Sequence, residues 1–280
     1  MSWFGRVGWR HLVGILAVLF SLFPVVFVVS AAVNPVGSLS STDLVPTGAG
    51  LHNFADLFHR TAFGYWYLNS ILIAGVSSAA SVFMSIAAAY AFSRMRFAGR
   101  RVGLMALLLI QMFPQFLAVV AIFLMFGAIG DFYPAIGLNT EWGLILIILG
   151  GALGINTWLM KGFLDTVPKE IDESAVMDGA SHAQTFFRII LPLVTPIIAV
   201  TGLISFIANI NEFLLASTFL TSPDTKTLAV GLFGLLQGER NANFGMFAAG
   251  SLLTAVPTVV LFRFLQRYIV SGLTVGAVKG

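Results

Sequence analysis

LVGILAVLFSLFPVVFVVSAAV, residues 12–33, is a run of 22 residues without a single charged side chain. About 20 apolar residues form a helix long enough to cross the ~30 Å hydrocarbon core of a bilayer. Five later stretches share this apolar character, so the predicted spans are 12–33, 67–92, 103–128, 142–163, 194–216 and 245–262. Because lipid offers no partners to backbone N–H and C=O groups, each span is predicted to be a helix. The predicted fold class is therefore an all-α integral membrane protein with six transmembrane helices.

The composition indicates that a bilayer is the solvent. Of the 280 residues, 58% are hydrophobic and 10% are charged, against about 25% charged in an average soluble domain. No internal repeat or low-complexity linker divides the chain, so residues 1–280 are predicted to form a single transmembrane domain. The first span follows two arginines, but its length and the lack of a small-residue cleavage site favour a retained helix over a signal peptide.

The basic residues predict the orientation, because Lys and Arg are retained on the cytoplasmic side of short loops. With both termini inside, twelve basic residues lie in the cytoplasm: Arg6, Arg10, Arg94, Arg96, Arg100, Arg101, Lys161, Lys169, Arg188, Arg263, Arg267 and Lys279. Only Arg60, Lys226 and Arg240 then lie outside. This rule explains the four arginines between 94 and 101, and contact with a partner is the alternative. The basic residues form short clusters rather than one exposed face, which does not favour nucleic-acid binding.

Between the fourth and fifth spans lies a polar stretch, residues 164–193, that predicts structure outside the membrane. Pro168 is placed for a first helical turn, where its missing N–H costs nothing. The acids Glu170, Asp172 and Glu173 would complement the positive end of the helix dipole. A short first helix is therefore predicted from this point.

A turn and a second short helix are predicted to follow. Asp178 and Gly179 supply turn chemistry, and Ser181 with Gln184 three residues later forms a capping box. The second helix is predicted to run toward Pro192, which completes a cytoplasmic helix-turn-helix. The exposed face of the first helix is expected to carry apolar Ile171, Ala175 and Val176, and the second is expected to pack on the bundle through Phe186, Phe187 and Ile190.

The spacing in this stretch resembles the cytoplasmic signature of permeases of binding-protein-dependent ABC importers. That signature reads Glu-Ala-Ala, three residues, Gly, nine residues, Ile-x-Leu-Pro. The matching residues are Glu173, Ala175, Gly179, Ile189, Leu191 and Pro192, with Ser174 in place of the middle Ala. In that family the signature helix sits in a cleft of the ATPase subunit and transmits its closure to the bundle. The resemblance therefore implies ATPase coupling through Glu173, Ser174, Ala175, Asp178 and Gly179.

Other stretches are similar to the carbohydrate branch of this family, and above all to the smaller permease of maltose and related oligosaccharide transporters. These stretches are residues 90–100, 112–114 and 272–280. The resemblance implies import of an α-glucoside such as maltose, maltodextrin or trehalose. It also implies a multi-pass protein of a bacterial or archaeal plasma (inner) membrane.

The resemblance further implies a set of partners. They are a second, non-identical permease, two copies of a sugar-type ATPase, an external solute-binding protein or lipoprotein, and membrane lipid. In the family, the outer loop before the last span contacts the binding protein, which corresponds to about residues 217–244 here. The family C terminus can reach into the ATPase dimer.

The chain itself is predicted to hold no cofactor, no metal and no catalytic site. It has no Gly-Lys dipeptide, which excludes the Walker A phosphate-binding loop. It has no cysteine, and its four histidines show no metal-ligand spacing. ATP and Mg are therefore expected to bind to the partner ATPase, which would carry out the hydrolysis.

Polar side chains within the spans are candidates for lining a solute path. They are Gln111, Gln115, Asn156, Ser205, Asn209 and Glu212. The spacing of the last three places them on one helix face, and Asn211 lies off that face. The same residues can instead hydrogen-bond neighbouring helices, which polar groups in membranes commonly do. Prolines 114, 192, 196 and 257 similarly predict either hinges or static kinks.

Three alternative functions remain open. An ion-coupled secondary carrier would need titratable groups on its path, and Glu212 is the only acid near a span interior. A membrane scaffold or sensor subunit would have no path. An ABC permease for a non-sugar solute such as glycerol phosphate would favour an added cationic site, and the spans show none.

Overall fold

A computed structural model describes residues 7–36, 46, 48–237 and 243–277. All regular structure in this part of the chain is helical, which confirms the predicted all-α class. The α-helices are α1 (Trp9–Val33), α2 (His52–Arg60), α3 (Phe63–Arg94), α4 (Arg100–Met112), α5 (Gln115–Phe132), α6 (Glu141–Gly150), α7 (Gly154–Leu164), α8 (Glu170–Met177), α9 (His182–Gln184), α10 (Leu191–Leu193), α11 (Thr195–Ile210), α12 (Leu214–Phe219), α13 (Leu228–Leu236) and α14 (Phe244–Ala277). A 3-10 turn covers Pro134–Ile136 and a π-helical segment covers Thr185–Ile190.

Some predicted features lie outside the described residues. Among them are three of the basic residues used for the orientation, Arg6, Arg240 and Lys279. The side chain of Gln115 also lies outside the description, as do residues 238–242 of the outer loop and the last three residues of the C-terminal stretch.

Three helices are each long and apolar enough to cross a membrane, namely α1, α3 and α14. They coincide with the first, second and sixth predicted spans. The third and fourth predicted spans correspond to helix pairs that bend at a short break, α4 with α5 at 98° and α6 with α7 at 55°. Helix α11 covers most of the fifth predicted span, and a third bent pair joins it at 76° to the helical stretch 182–193, which was predicted to lie outside that span. The described residues thus contain three clear spans, and up to six if each bent pair counts as one.

The structure corrects the expectation of continuous helices over 103–128, 142–163 and 194–216. In the last of these, α11 ends at Ile210 and a break at residues 211–213 precedes α12. Helix α4 ends at Met112, because Pro114 has no N–H to donate and disfavours helical geometry in the residue before it. Helix α6 ends at Gly150 and is followed by Gly151, and glycine is a weak helix former. Pro257, by contrast, lies inside α14, which continues through it.

The described residues fall into two compact units, Met1–Gly64 with Val230–Val256 and Tyr65–Ala229 with Pro257–Gly280. In the first unit, the most apolar 18-residue stretch of α1 has no buried residue, and Phe20 is 84% exposed. Apolar exposure on this scale suits a helix surrounded by lipid. The buried Asn53 of α2 donates hydrogen bonds to the carbonyl oxygens of Ala32 (2.9 Å) and Asn34 (2.8 Å). These bonds connect α2 to the C-terminal end of α1.

The second unit packs its helices through two kinds of surface. An apolar cluster joins α3, α7, the π-helical segment and the start of α11, and its fully buried members include Met160, Leu164 and Ile190. Helix α3 also buries a row of serines: Ser70, Ser77, Ser78, Ser81, Ser85 and Ser93. Small residues allow helix backbones to approach closely where lipid gives no hydrophobic drive for association.

Gly143 in the first turn of α6 is expected to tolerate no side chain. A Cβ at this position would collide with the carbonyl oxygen of Gly137 and lie 2.9 Å from that of Ile136, both of which are backbone atoms. We expect Gly143→Ala to lower the thermal midpoint of the purified protein by several degrees, since overpacking costs about 1–3 kcal/mol. Gly150→Ala, in the same helix with no atom within 4 Å, should leave the midpoint unchanged or raise it. Equal midpoints for the two variants would contradict this assignment.

Candidate functional site

A cavity of about 850 Å³ lies within the second unit. Five of the six residues predicted to line a path are on its wall: Gln111, Asn156, Ser205, Asn209 and Glu212. The sixth, Gln115, has no described side chain. Asn211 is off the cavity wall, as its position on the helix predicts, and its amide donates to the carbonyl oxygen of Ile207. The structure therefore brings together side chains from α4, α7 and α11 that are up to about 100 positions apart in the sequence. Glu212 was predicted on the same helix face as Ser205 and Asn209, but α11 ends at Ile210, so Glu212 lies in the break before α12.

The cavity residues also connect helices to one another. The amide of Asn156 donates to Ser205 Oγ at 3.4 Å, which joins α7 to α11. The amide of Asn209 donates to Ser78 Oγ at 3.1 Å, which joins α11 to α3. The same side chains can therefore both line a path and connect helices.

Gln111 reaches the cavity through a close approach of α4 to α7. Its amide donates to the carbonyl oxygen of Gly151 at 3.1 Å. The side chain occupies the space where a Cβ on Gly154 would stand, so the absence of a side chain at that position makes room for it. Trp158 of α7 adds a second connection by donating to the carbonyl oxygen of Leu104 at 3.2 Å.

Ser81 also lines the cavity, and sequence reasoning missed it. It belongs to a series on α3, Ser77, Ser81 and Ser85, in which a serine recurs every four residues. All three side chains are buried, with at most 4% of the residue surface exposed. That period places three hydroxyls on one helix face. A search for small polar residues at helical spacing inside an apolar span would have found it.

Segment 164–193 adopts the predicted sequence of a short helix, a turn and a second short helix. Helix α8 begins at Glu170, two residues after Pro168, and has Glu170, Asp172 and Glu173 in its first turn. The Ser181 capping box is present in both directions, with Gln184 N donating to Ser181 Oγ and Ser181 N donating to Gln184 Oε1. The second helix differs from the prediction, because only His182–Gln184 is α-helical and the π-helical segment follows it directly.

The turn after α8 depends on Gly179, whose φ of +82° lies in the left-handed region. Glycine enters this region without the steric cost that a Cβ imposes. The Gly179 N–H donates to the carbonyl oxygen of Val176, and the Ala180 N–H donates to that of Ala175. These two bonds satisfy carbonyl groups at the helix end and direct the chain back toward the bundle.

The exposed surface of α8 differs from the predicted one at Ala175. Glu173, Ser174, Asp178 and Gly179 are exposed, but Ala175 is 5% exposed and lies on the inner side of the helix. The expectation that Ala175 lies on the outer face was therefore wrong, because α8 packs against the π-helical segment on that side. The most exposed apolar side chain of α8 is instead Met177, at 87%.

The second half of segment 164–193 packs on the bundle through two of the three predicted residues. Phe186 and Ile190 are buried in the apolar cluster described above, where the Phe186 ring lies 5.0 Å from that of Tyr90. Phe187 is 52% exposed and stacks on Phe83 at 6.5 Å. The predicted packing is confirmed for Phe186 and Ile190.

Arg94 connects the end of α3 to α8. Its Nε lies 3.0 Å from Asp172 Oδ2, in an ion pair whose side chains are 6% and 17% exposed. Its Nη2 donates to the carbonyl oxygen of Val167 at 2.7 Å. The inside-positive rule is sufficient to explain the position of Arg96, which is exposed. Arg94 instead contacts Asp172 and Val167 of the same chain. Both arginines belong to one basic cluster in the sequence, and the pairing of Arg94 with Asp172 is not visible there because the two residues are 78 positions apart.

A second polar contact joins α3 to the end of α7. Ser93 Oγ donates to Asp165 Oδ1 at 2.6 Å, and Lys161 Nζ donates to Asp165 Oδ2 at 2.6 Å. Burial by itself would raise the pKa of Asp165, but the hydrogen bonds from Lys161 and Ser93 outweigh it and hold the pKa below its ordinary value. The carboxylate form is thus the one that the fold stabilises.

This lowered pKa predicts how stability depends on pH. A carboxyl group whose folded pKa is lowered stabilises the fold above the unfolded value of about 3.9 and loses that contribution as the pH falls through the folded value. We expect wild type to melt higher than Asp165→Asn from pH 5 to pH 8 and the difference to shrink below about pH 4. Asp165 is 44% exposed, so the difference should be small. A constant difference down to pH 3 in thermal scans would contradict the prediction.

Residues 81–275 match the sequence model of a protein family described as the binding-protein-dependent transport system inner membrane component. The chain belongs to this family. The match includes α8, the cavity residues and most of α14. Membership confirms the predicted family and places the chain among inner membrane components of transport systems.

Several relatives are similar in sequence to this permease over nearly its whole length. The galactooligosaccharides transport system permease protein GanQ of Bacillus subtilis (strain 168) is 41% identical over 262 residues, 92% of this chain and 90% of the relative. The maltodextrin transport system permease protein MdxG of the same strain is 41% identical over 260 residues, 92% and 91% of the two chains. The maltose/maltodextrin transport system permease protein MalG of Escherichia coli (strain K12) is 35% identical over 288 residues, 96% and 95%. All three are permease proteins of transport systems, which confirms the prediction of a transport subunit rather than an enzyme.

A solved structure shares the fold of the permease. It is a crystal structure of a bacterial ABC transporter involved in the import of the acidic polysaccharide alginate, with a TM-score of 0.76 and 23% sequence identity. The similarity covers 95% of this chain and 96% of the other. At this identity the likeness concerns the fold alone. Taken together, the family and its relatives do not favour the ion-coupled carrier.

The permease also has a hydrogen-bonded segment, residues 219–228, that sequence reasoning missed. Asn139 adopts a φ of 58°, and its Oδ1 accepts hydrogen bonds from Thr221 N (2.7 Å), Thr221 Oγ1 (2.9 Å) and Ser222 N (3.1 Å). From α3, Trp66 Nε1 donates to the carbonyl oxygen of Pro223 and Asn69 Nδ2 to that of Asp224. Hydrogen bonds from Asn139 and from α3 therefore connect the start of the predicted outer loop to two separate parts of the chain.

Proposed function

We propose that this chain is one of two membrane-spanning permease subunits of an ATP-driven importer of an α-glucoside such as maltose, maltodextrin or trehalose. The observation that carries the proposal is the signature spacing on segment 164–193, which the fold presents as an exposed helix followed by a tight turn. Six spans with both termini in the cytoplasm complete the proposed topology, in which α8 faces the cytoplasm. Two relatives that are named for maltodextrin transport support the substrate class.

In this proposal, α8 docks on the ATPase through Glu173, Ser174, Asp178 and Gly179. Ala175 contributes from the inner side, where its small side chain allows α8 to lie close to the π-helical segment. The ATPase subunits bind ATP and Mg and hydrolyse ATP, since this chain lacks a Walker A loop. Movement of α8 reaches the bundle through the buried pair of Arg94 and Asp172 and through Phe186.

The 850 Å³ cavity is proposed as this subunit's half of the translocation path. Its neutral polar groups, Gln111, Asn156, Ser205 and Asn209, offer donors and acceptors to sugar hydroxyls. A path needs groups that bind weakly at several places, so that the solute can enter and leave. Amides that already bond to neighbouring helices suit this role, because they retain further donors and acceptors.

The proposed partners are a second, non-identical permease, two copies of a sugar-type ATPase, and an external solute-binding protein or lipoprotein, all embedded in or next to membrane lipid. A crystal structure of the bacterial alginate ABC transporter in complex with an alginate pentasaccharide-bound periplasmic protein shares the fold of this chain with a TM-score of 0.67. By analogy, the outer loop of about residues 217–244, which includes segment 219–228, is proposed to contact the binding protein. The hydrogen bonds that connect segment 219–228 to Asn139 and to α3 would present the loop in one orientation.

The test of docking is a disulfide crosslink between a cysteine at Met177 and cysteines scanned along the co-expressed ATPase, with and without ATP. The chain has no cysteine of its own, and the exposure of Met177 makes it the best site on α8. Ala175→Cys is the matched control, because its side chain faces inward and should crosslink poorly. A crosslink from position 177 that changes with ATP supports docking. No crosslink from position 177 in a complex that still transports would overturn it.

One relative supports a second candidate substrate class. GanQ, named for galactooligosaccharides, is as similar to this chain as MdxG. Uptake of radiolabelled maltodextrin into proteoliposomes that contain the full complex and its binding protein would separate the two, with galactooligosaccharide as the competitor. Strong inhibition of maltodextrin uptake by the galactooligosaccharide would favour the galactoside as substrate. Absence of inhibition would favour the α-glucoside.

A further inference from the structure

The cavity in the second unit contains a single charged side chain among the described residues on its wall. That residue is Glu212, and the rest of the described wall is apolar or carries neutral amides and hydroxyls. Coulomb interactions between unit charges are several times stronger in a partly apolar protein environment than in water. One carboxylate can therefore dominate the electrostatic potential of such a space.

Glu212 has no cationic partner within the described part of the chain. The ion pairs found there join Arg60 to Asp56, Arg94 to Asp172 and Lys161 to Asp165. Glu212 instead accepts a hydrogen bond at Oε1 from the backbone N–H of Leu215, at 2.7 Å. That bond places the carboxylate at the start of α12, on the wall of the cavity. A backbone amide does not cancel the charge as a lysine or arginine would.

We propose that Glu212 makes the translocation path select against anionic solutes, so that the substrate class is uncharged oligosaccharides and uronic-acid oligosaccharides are rejected. The proposal rests on the proposed function, because it takes the cavity to be part of the path. It adds a specificity-determining residue and a charge rule for the substrate. The charge acts before any sugar-specific contact, since an anion that approaches the carboxylate is repelled wherever its hydroxyls point.

Two substitutions separate the charge of Glu212 from its hydrogen bond. Glu212→Gln keeps an acceptor oxygen for the Leu215 N–H and removes only the charge. Glu212→Ala removes both. A property that changes equally in both variants depends on the charge of Glu212. A property that changes only in Glu212→Ala depends on the hydrogen bond to α12.

The experiment measures the electrostatic potential in the cavity of the assembled transporter without any substrate. Ala208 is exposed, lines the cavity and lies four positions before Glu212, so Ala208→Cys places a thiol there in a chain that has none. The thiol is treated with a cationic and an anionic methanethiosulfonate of similar size, and labelling of this chain is followed by mass spectrometry. Rates are divided by those of a free thiol. Ala135→Cys, an exposed position outside the cavity wall, is the control.

With Glu212 in place, we expect the cationic reagent to react faster than the anionic one at position 208. Glu212→Gln should lower the ratio of the two rates roughly tenfold, because a nearby unit charge in a partly screened environment acts in opposite directions on the two reagents. The ratio at position 135 should not change. An unchanged ratio at position 208 would overturn the proposal, as would a wild-type preference for the anionic reagent.

Failure of this inference and failure of the proposed function are distinguishable. Labelling reports the charge of the cavity whether or not the solute is a sugar, and ATP-dependent uptake of maltodextrin by the same preparation reports the function. An intact charge effect without maltodextrin uptake would overturn the proposed substrate. Normal uptake without a charge effect would overturn only the role of Glu212.

Discussion

Arg94→Asp is expected to lower ATP-dependent uptake by the assembled transporter about tenfold or more, because it sets an aspartate against the nearly buried Asp172. Arg94 is 6% exposed and Asp172 is 17% exposed, so water solvates neither charge well. Removing one partner of a buried ion pair costs about 3–5 kcal/mol, much of it from the charge left uncompensated. That cost falls on the contact between α3 and α8. Uptake of labelled maltodextrin and ATP hydrolysis by proteoliposomes should be measured together, since loss of coupling lowers uptake more than hydrolysis.

A charge exchange and an exposed neighbour provide the controls. The double variant Arg94→Asp, Asp172→Arg restores opposite charges and should recover part of the uptake. Recovery should be incomplete, because an aspartate at 94 cannot donate to the carbonyl oxygen of Val167 as Arg94 does. Arg96→Asp makes the same charge change at an exposed position and should have little effect. If Arg94→Asp and Arg96→Asp behave alike, or the double variant transports no better than Arg94→Asp, the pair does not carry the coupling.

Gly179→Val is expected to reduce uptake severely, because a β-branched residue is strained at a φ of +82°. The left-handed region costs an ordinary residue about 1–2 kcal/mol, and branching at Cβ adds to that cost. The chain can escape the strain by changing the turn, which would move Asp178 and the end of α8 away from the docking position. No atom lies within 4 Å of a Cβ at this position, so the expected effect comes from backbone geometry and not from a collision within the chain.

Gly179→Asn is the matched comparison, since asparagine tolerates the left-handed region better than other non-glycine residues. It should retain more uptake than Gly179→Val, and the crosslink from a cysteine at 177 should follow the same order. If both variants lose uptake completely and keep their expression, the ATPase requires the absence of a side chain at 179 rather than the turn. If neither loses uptake, the turn has no role in coupling.

The local features of segment 164–193 were predictable because each depends on a few neighbouring residues. The acids of the first turn of α8, the Ser181 capping box and the left-handed Gly179 all follow from chemistry within four positions. The face of α8 was harder to predict. A short helix with small and apolar residues on both sides has no clear inner face until its neighbour is known, and Ala175 was assigned to the wrong side for that reason.

The cavity was partly predictable from single spans. Polar residues in an apolar helix must find partners or line an aqueous space, and helical spacing placed Ser205 and Asn209 on one face. Glu212 also reaches the cavity, although α11 ends before it at Ile210. Their partners were not predictable, because Ser78 is more than 130 positions from Asn209 in the sequence. The breaks at Phe113 and Gly151 were missed because apolar length, the signal used to find spans, continues across them.

The sequence by itself determined the membrane environment, the helical class, the family and the signature helix, since these depend on composition, on runs of about 20 residues and on fixed local spacing. Only the tertiary structure decided that Arg94 pairs with Asp172, that Asn139 holds residues 221 and 222, and that Glu212 is the one described charge on the cavity wall. These facts depend on which helices lie side by side. A burial pattern along one helix cannot specify that arrangement, because lipid and a neighbouring helix offer an apolar residue nearly the same environment.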